Sequence, residues 1–160
     1  MKKIIFLFTF FLLSFALKAQ DKINWLSFEK AIELNEKKPK PILISIYANW
    51  CGWCKKMDEE TYSDKEIINY VNENFYAIKL NGEGKKDITY KDYTFKYQKK
   101  GRSQFHELAA VLTEGKLSYP TTVFMNNKEE ILYKLPGYLS KRVLKKKLIS
   151  YNQKHVKVSK

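Results

Sequence analysis

Apolar residues along this chain recur at spacings that indicate alternating helices and strands. Ser27 can cap a helix whose apolar side chains recur at helical spacing, and Pro39 and Pro41 end it. Residues 42–48 form a nearly continuous apolar run, typical of a strand buried on both faces of a parallel or mixed sheet. A second strand is predicted at residues 75–80. Helical sequence between the two gives the βαβ pattern, which favours a parallel pair.

Two helices are predicted between these strands. Helix-compatible sequence continues from Lys55 to Thr61. Ser63 and Glu66 have the spacing of a capping box, which predicts the start of the next helix. Three apolar residues then lie on one face of that helix: Ile67, Ile68 and Val71.

The middle of the chain is more polar. Residues 81–101 are rich in Lys and Tyr and contain short alternating stretches, and we interpret them as a small excursion with some strand character. The helical period returns from Ser103, and Gly115 can stop that helix.

A hairpin and a last helix complete the pattern. Residues 120–125 are predicted as a strand, residues 126–127 as a turn and residues 131–133 as the pairing strand. A basic amphipathic helix is predicted from about Ser140, with four apolar side chains facing inward: Val143, Leu144, Leu148 and Ile149. This order of elements indicates an α/β fold.

The first residues resemble a targeting segment rather than part of the fold. Lys2 and Lys3 precede residues 4–17, of which all but two are apolar. This is the charged and apolar pattern of a secretory signal peptide, and the run is shorter than the roughly 20 residues of a spanning helix. We therefore predict a signal peptide at residues 1–19 and a periplasmic or otherwise exported protein after its cleavage.

The composition is that of one domain with an apolar core. Hydrophobic residues make up 44% and aromatic residues 15% of the 160 residues, which excludes a disordered chain. We expect a single domain at residues 20–152 and a basic tail at residues 153–160. The formal net charge of +13 comes mostly from scattered lysines, which we interpret as a solvated surface and not as a nucleic-acid site.

The two cysteines of the chain lie in one C-x-x-C segment, at Cys51 and Cys54. A disulfide across so short a loop removes little entropy from the unfolded chain, so stability is a poor explanation for the pair. The segment follows the first buried strand, which places Cys51 at a helix N-terminus. Free N–H groups and the helix dipole favour an anion there and lower the pKa of the thiol. Cys54, one turn later, can resolve a mixed disulfide that Cys51 has formed.

Neighbouring residues fit this chemistry better than a metal site. Gly52 leaves room for a substrate chain, and Lys55 and Lys56 add positive charge near the thiolate. A zinc site would need two further ligands, for which His106 and His155 are the candidates. We expect no metal, and we expect His106 on a helix surface without a catalytic role.

Residues 47–55 (YANWCGWCK) resemble the active site of the thioredoxin superfamily. Three further segments resemble later landmarks of that family, in the same order: the end of its next strand at residues 79–81 (KLN), its cis-proline segment at residues 119–124 (YPTTVF) and the entry to its last helix at residues 137–140 (GYLS). The resemblance covers residues 25–151. It implies a thioredoxin-like three-layer sandwich, with a mixed central sheet flanked by helices and an insertion at residues 81–101, before the cis-proline strand.

The resemblance also implies roles for individual residues. Cys51 is the expected nucleophile and Cys54 the resolving thiol. Tyr119 and Pro120 are expected to lie against the cysteines, with a cis peptide bond that lets the backbone of Tyr119 pair with a substrate strand. The alternative is an ordinary proline at the start of a strand. The residues expected to bind substrate are Trp50, Gly52, Trp53, Tyr119 and Pro120.

The two tryptophans are expected to differ. Trp50 is expected to pack beside the dithiol and shield it. Trp53 is expected to be exposed, where it contacts either a substrate or the chain's own surface. Because Gly52–Trp53 replaces the Gly-Pro pair of thioredoxin, the direction of exchange is not implied by the resemblance.

Ser45 is a further departure from the family pattern. Thioredoxins that act as reductants usually carry a buried Asp at this position, whereas Lys79 matches the usual partner of that acid. A buried carboxylate helps to take the proton from the resolving thiol. Here that help must come from water or from another acid, for which Glu59 and Glu60 are candidates, or it must be weaker.

The leading hypothesis is an exported thiol–disulfide oxidoreductase that reduces or reshuffles disulfides in other exported proteins, with a membrane or soluble dithiol donor. We favour the reducing direction because the chain carries neither an added dimerisation domain nor a long inserted helical domain. Net disulfide oxidation is the second hypothesis. A thioredoxin-like binding or chaperone module with incidental cysteines is the third. We expect a monomer with no cofactor and no nucleic-acid partner.

Overall fold

Residues 22–155 are described by the computed structural model. The strands are β1 (Trp25–Leu26), β2 (Ile42–Tyr47), β3 (Tyr76–Asn81), β4 (Ile88–Tyr90), β5 (Tyr93–Phe95), β6 (Tyr97–Lys100), β7 (Ser103–His106), β8 (Thr121–Met125) and β9 (Ile131–Pro136). The helices are α1 (Phe28–Lys37), α2 (Gly52–Glu60), α3 (Lys65–Asn74), α4 (Glu107–Leu112) and α5 (Lys141–His155). The predicted signal peptide at residues 1–19 lies outside the described residues. The predicted tail is helical up to His155, and its remaining residues, 156–160, also lie outside the described residues.

A central sheet contains five of these strands, in the order β1-β3-β2-β8-β9. β1 and β2 each pair with β3 in parallel. β8 and β9 extend the sheet through antiparallel pairs. The predicted parallel pair, the predicted hairpin and the mixed character of the sheet are confirmed. β1 is missed because a strand of two residues carries no periodicity that could be recognised.

Helices cover both faces of the sheet because its central strand is apolar on both. Leu43 belongs to an apolar cluster that includes residues of α2, α3 and α5. Ile42, Ile44 and Ile46 belong to a second cluster that includes residues of α1 and α4. Successive side chains of a strand point to opposite faces, so the nearly continuous apolar run of β2 contributes to both clusters. The predicted three-layer α/β sandwich is therefore confirmed.

The chain between β3 and α4 forms two antiparallel hairpins, β4–β5 and β6–β7, and we call residues 82–106 the hairpin segment. The prediction of a helix from Ser103 is wrong, because β7 occupies that position and the helix begins at Glu107. Gly101, in the turn before β7, has a φ of 60°. Glycine adopts this conformation without steric cost, and the turn allows β7 to pair with β6.

The predicted capping box at the start of α3 is also wrong. Asp64 is the N-cap, and its carboxylate accepts the backbone N–H groups of Glu66 and Ile67 at 3.1 and 3.3 Å. The hydroxyl of Ser63 instead donates to the carbonyl of Glu59 at the end of the preceding helix. A carboxylate at this position satisfies two free donors and interacts favourably with the helix dipole.

The last helix buries a narrower face than predicted. Leu144, Leu148 and Tyr151 are buried, at spacings of four and three residues. The prediction that Val143 faces inward is wrong, since its side chain is 36% exposed. It lies one residue, and therefore about 100°, away from that buried face. Among the described helices, including this one, none is long and apolar enough to cross a membrane.

Replacing Asp64 with Ala should lower the free energy of unfolding by about 1 kcal/mol, because two N–H groups of α3 lose their acceptor. The measurement is urea unfolding followed by circular dichroism. Ser63→Ala is the matched control and should change the stability less. An equal loss in both variants would contradict the assignment of Asp64 as the cap.

Candidate active site

The two cysteines lie where β2 passes into α2. They form a disulfide, with Cys51 as the N-cap of the helix and Cys54 in its first turn. The backbone N–H of Cys54 donates to the sulfur of Cys51 at 3.1 Å. The N–H of Cys51 donates to the carbonyl of Ala48 at 3.0 Å, which closes the connecting turn. The sulfur of Cys51 thus receives the kind of N–H contact that stabilises a thiolate at a helix N-terminus.

Tyr119 and Pro120 are brought to the same place by β8, which pairs with β2. The peptide bond between them is cis. The side chain of Tyr119 packs against the cluster formed by Ala48 and the two cysteines. Pro120 also fixes the next connection of the chain, because its carbonyl accepts the N–H of Gly137 at 2.7 Å.

The ring of Tyr119 occupies a space that only glycine leaves open. A Cβ atom added to Gly82 would lie 2.4 Å from this ring, closer than atoms can approach. The phenol oxygen is buried and has no hydrogen-bond partner within the described residues. Burial, and after it the charge of Glu83, raises the pKa of Tyr119 to about 12. The phenol therefore stays neutral at physiological pH, and the ring packs against the dithiol cluster without adding a charge.

Trp50 is held by a contact that the sequence analysis did not predict. Its indole N–H donates to both carboxylate oxygens of Glu83, at 3.0 and 3.1 Å. The indole ring meets the ring of Tyr119 edge-on at 5.8 Å, yet Trp50 is 68% exposed. It therefore touches the residue that covers the dithiol and remains open to solvent.

Trp53 is exposed, and it packs on the chain's own surface, which is one of the two alternatives considered for it. It is 60% exposed, and its ring also packs on Tyr138 at 5.7 Å. The ammonium group of Lys56 lies over both rings, at 5.3 and 5.9 Å. The hydroxyl of Tyr138 donates to Glu60 at 2.7 Å. These contacts hold Trp53 in place. They also show that Glu60, one of the two acids suggested to take the proton of Cys54, is hydrogen-bonded to Tyr138 instead.

A polar group lies on the α2 side of the sheet, around the position where thioredoxins carry an acid. Ser45 is buried, and in the strand register it is flanked by Lys79 and Thr122. The hydroxyl of Tyr62 is buried without a hydrogen-bond partner among the described residues, and burial raises the pKa of this phenol. Lys79 forms a salt bridge with Asp58.

Asp58, which pairs with Lys79, is an acid that the sequence analysis did not consider. It follows Cys54 by four residues on α2, and residues so spaced lie on the same face of a helix. Glu59, the other acid suggested from the sequence, is exposed. In the sequence, the spacing of four residues from Cys54 was the signal that could have pointed to Asp58. In the structure, the salt bridge to Lys79 distinguishes Asp58 from the neighbouring acids.

The expectation that His106 lies on a helix surface is wrong. Its side chain is only 1% exposed, and it caps α4 by accepting the N–H of Leu108 at 3.2 Å. The other ring nitrogen lies 3.1 Å from the carbonyl of Lys86, in the hairpin segment. A histidine that bridges two backbone groups is favoured in the interior because both ring nitrogens are satisfied. In the described part of the chain, no three His, Cys, Asp or Glu residues are grouped so as to hold a metal ion.

The sequence profile of the family described as Thioredox_DsbH, protein of unknown function DUF255, matches residues 10–158. The chain belongs to this family. Among solved structures, a protein described as DsbH oxidoreductase is 18% identical, with a TM-score of 0.61 over 89% of this chain and 92% of that one. A proposed disulphide isomerase from Bacteroides thetaiotaomicron is 25% identical, with a TM-score of 0.56 over 83% of this chain and 94% of that one. The predicted thioredoxin-like fold is confirmed.

Curated relatives of this Thioredox_DsbH member match over shorter stretches. Spermatogenesis-associated protein 20 of Rattus norvegicus is 31% identical over 71 residues, which is 44% of this chain and 9% of that protein. The thiol:disulfide interchange protein DsbD of Escherichia coli K12 is 33% identical over 54 residues, which is 31% of this chain and 10% of that protein. The chain thus spans about a tenth of the length of these relatives. Together with the Cys51–Cys54 disulfide, the similarities support the predicted enzyme class, a thioredoxin-like thiol–disulfide oxidoreductase.

Gly82→Ala should lower the free energy of unfolding by about 1–3 kcal/mol, because the new methyl group overlaps the ring of Tyr119. Gly52→Ala is the matched control. Nothing lies within 4 Å of a Cβ there, and alanine suits a helix, so its stability should stay equal or rise. Urea unfolding of both variants checks this, and an unaffected Gly82→Ala protein would contradict the described packing of Tyr119.

Proposed function

We propose that this Thioredox_DsbH protein is an exported thiol–disulfide oxidoreductase that reduces or reshuffles disulfides in other exported proteins. The observation that carries the proposal is the Cys51–Cys54 disulfide at a helix N-terminus, covered by Tyr119 of a cis Tyr119–Pro120 segment. A dithiol placed in this way can form and break a disulfide without rearranging the sheet. The partners are exported proteins with disulfides and a membrane or soluble dithiol donor.

The reaction consists of two exchanges between sulfur atoms. The thiolate of Cys51 attacks one sulfur of the substrate disulfide, and the other substrate sulfur leaves as a thiolate. Cys54 then loses its proton and attacks Cys51, which releases the second substrate sulfur. The substrate gains two electrons and two protons, and the enzyme is left with the Cys51–Cys54 disulfide. A dithiol donor returns it to the reduced state.

Substrate binding is assigned to Trp50, Gly52, Trp53, Tyr119 and Pro120. The backbone of Tyr119 pairs with an extended substrate segment. The exposed rings of Trp50 and Trp53 contact apolar side chains on either side of the substrate cysteine. Support comes from the open space at Gly52 and from the contacts that hold each indole in place.

The central test is turnover with a disulfide-bonded protein such as insulin, with dithiothreitol as donor. The mature protein should accelerate reduction over the donor alone, and Cys51→Ser should abolish that acceleration because no nucleophile remains. Equal activity in Cys51→Ser would favour the hypothesis of a binding module. Circular dichroism of the variant provides the control for folding.

The reduction potential of the dithiol decides between reduction and net oxidation. We expect a value closer to about −270 mV, typical of a reductant, than to about −120 mV, typical of a strong oxidant. Equilibration with glutathione buffers, followed by the fluorescence of Trp50 and Trp53, gives this potential. A value near that of the strong oxidant would instead favour the second hypothesis, net disulfide oxidation.

Asp58 is the group to which we assign the proton of Cys54. Asp58→Asn should slow the release of substrate from the mixed disulfide by about tenfold near pH 7, since an amide cannot accept the proton. The defect should shrink as the pH approaches about 8.5, where a free thiol ionises unaided. Stopped-flow tryptophan fluorescence in a single turnover measures this step.

Glu59→Gln is the matched control for Asp58→Asn. It changes an adjacent exposed carboxylate in the same way and should leave the release rate unchanged. A purely structural role of the salt bridge between Asp58 and Lys79 would instead lower the rate equally at every pH, and that result would contradict the assignment.

A further inference from the structure

A groove of about 440 Å³ lies between the two hairpins and α4, and none of its lining residues belongs to the dithiol site. Its walls are mainly apolar, with the rings of Tyr93, Phe95 and Phe105 on the hairpins and Val111 on the helix. Concave apolar surfaces of this size are typical of ligand and peptide sites.

Two of the lining side chains are exposed to an extent unusual for large apolar residues. Tyr93 is 55% and Val111 is 56% exposed. The ring of Tyr93 packs edge-on against the ring of Phe95, with a centroid distance of 4.8 Å. Exposed apolar groups that line one groove are typical of a surface to which another molecule binds.

The polar groups that line the groove differ in whether they already form hydrogen bonds within the chain. The carboxylate of Glu107 accepts the backbone N–H of Lys96 at 2.8 Å and the amide of Gln98 at 2.7 Å. These contacts lower the pKa of Glu107 and tie α4 to β6. Lys100, by contrast, is exposed at the rim and can meet a negative charge.

The surroundings of the groove are basic. The hairpin segment contains seven Lys and Arg residues, all exposed, and three Asp and Glu residues. One of the three acids, Glu83, is bound to Trp50. A segment with this charge attracts acidic partners and repels basic ones.

The hairpin segment is attached at the edge of the active site. Gly82, at its start, lies under the ring of Tyr119. His106, at its end, donates its backbone N–H to the carbonyl of Gly82 at 2.7 Å. A molecule bound in the groove is therefore held on a segment whose two ends meet beside the dithiol.

We propose that this groove binds an extended segment of a partner protein in which an aromatic or leucine side chain is flanked by acidic residues. The apolar side chain enters between Tyr93 and Val111, and the flanking acids meet Lys100 and the surrounding basic residues. Resting on the proposed function, the groove is a second recognition site that selects which disulfide-containing protein reaches Cys51.

Fluorescence anisotropy with a synthetic peptide tests the proposal. The probe is a fluorescein-labelled, cysteine-free peptide with a Phe-Leu core and two acidic residues on each side. Saturable binding to the full mature chain is expected, and it should weaken as salt is added. A peptide with the same core and lysine flanks should bind at least tenfold more weakly. Absence of saturable binding, or equal binding of the two peptides, would overturn the proposal.

Val111→Glu places a negative charge in the groove and should weaken peptide binding at least tenfold. Because Val111 is exposed, the fold should tolerate the change, and circular dichroism checks this. Val143→Glu is the matched control, an exposed valine on α5 outside the groove, and should bind as the wild type does. Equal binding by Val111→Glu and the wild type would overturn the proposal. Binding of phosphatidylglycerol vesicles that depends on Val111, without binding of the peptide, would also overturn the proposal.

The same variants separate this proposal from the proposed function. Cys51→Ser should bind the peptide like the wild type, and Val111→Glu should retain exchange with a small aromatic disulfide. Peptide binding without any exchange activity would refute the oxidoreductase and leave the groove as a protein-binding site. Exchange activity without peptide binding would refute only the proposal that the groove binds a partner segment.

Discussion

Strand register at one edge of the central sheet determines the geometry of the site. Tyr47 pairs with Asn81 at the carboxyl ends of β2 and β3, which run in parallel. Ile46 pairs with Thr121 at the amino end of β8, which runs the other way. The dithiol, the start of the hairpin segment and the cis-proline therefore emerge at the same edge. A slip of one residue in β8 would turn its side chains to the opposite face and separate these groups.

Sequence reasoning located the features that depend on neighbours along the chain. The apolar run of β2 and the position of the cysteines after it determine the N-terminus of α2 locally, and both were predicted. Glu83 and Asp58 were missed because their partners, Trp50 and Lys79, lie 33 and 21 residues away along the chain. His106 was misjudged for the same reason, since its buried position depends on how the hairpin segment folds back over it.

The acid of the site differs from the thioredoxin pattern in its position and in its exposure. Burial of a carboxylate within a sheet is expensive unless a partner and hydrogen bonds compensate for it. Here the strand carries a serine, and the carboxylate of Asp58 lies on the helix with 39% of its side chain exposed, paired with Lys79. Solvent can exchange protons with such a group directly. With the proton of Cys54 assigned to Asp58, the site combines the packing of Tyr119 against the dithiol with a proton acceptor that remains in contact with water.

The most direct test of this account is to trap the mixed disulfide. In Cys54→Ser the second exchange is removed, so a disulfide-bonded protein substrate should remain attached after the first attack. Mass spectrometry of the non-reduced complex and of its peptides should locate the new bond at Cys51, in close to one equivalent. No adduct, or an adduct of equal yield on Cys54 in Cys51→Ser, would contradict the assignment of Cys51 as the nucleophile.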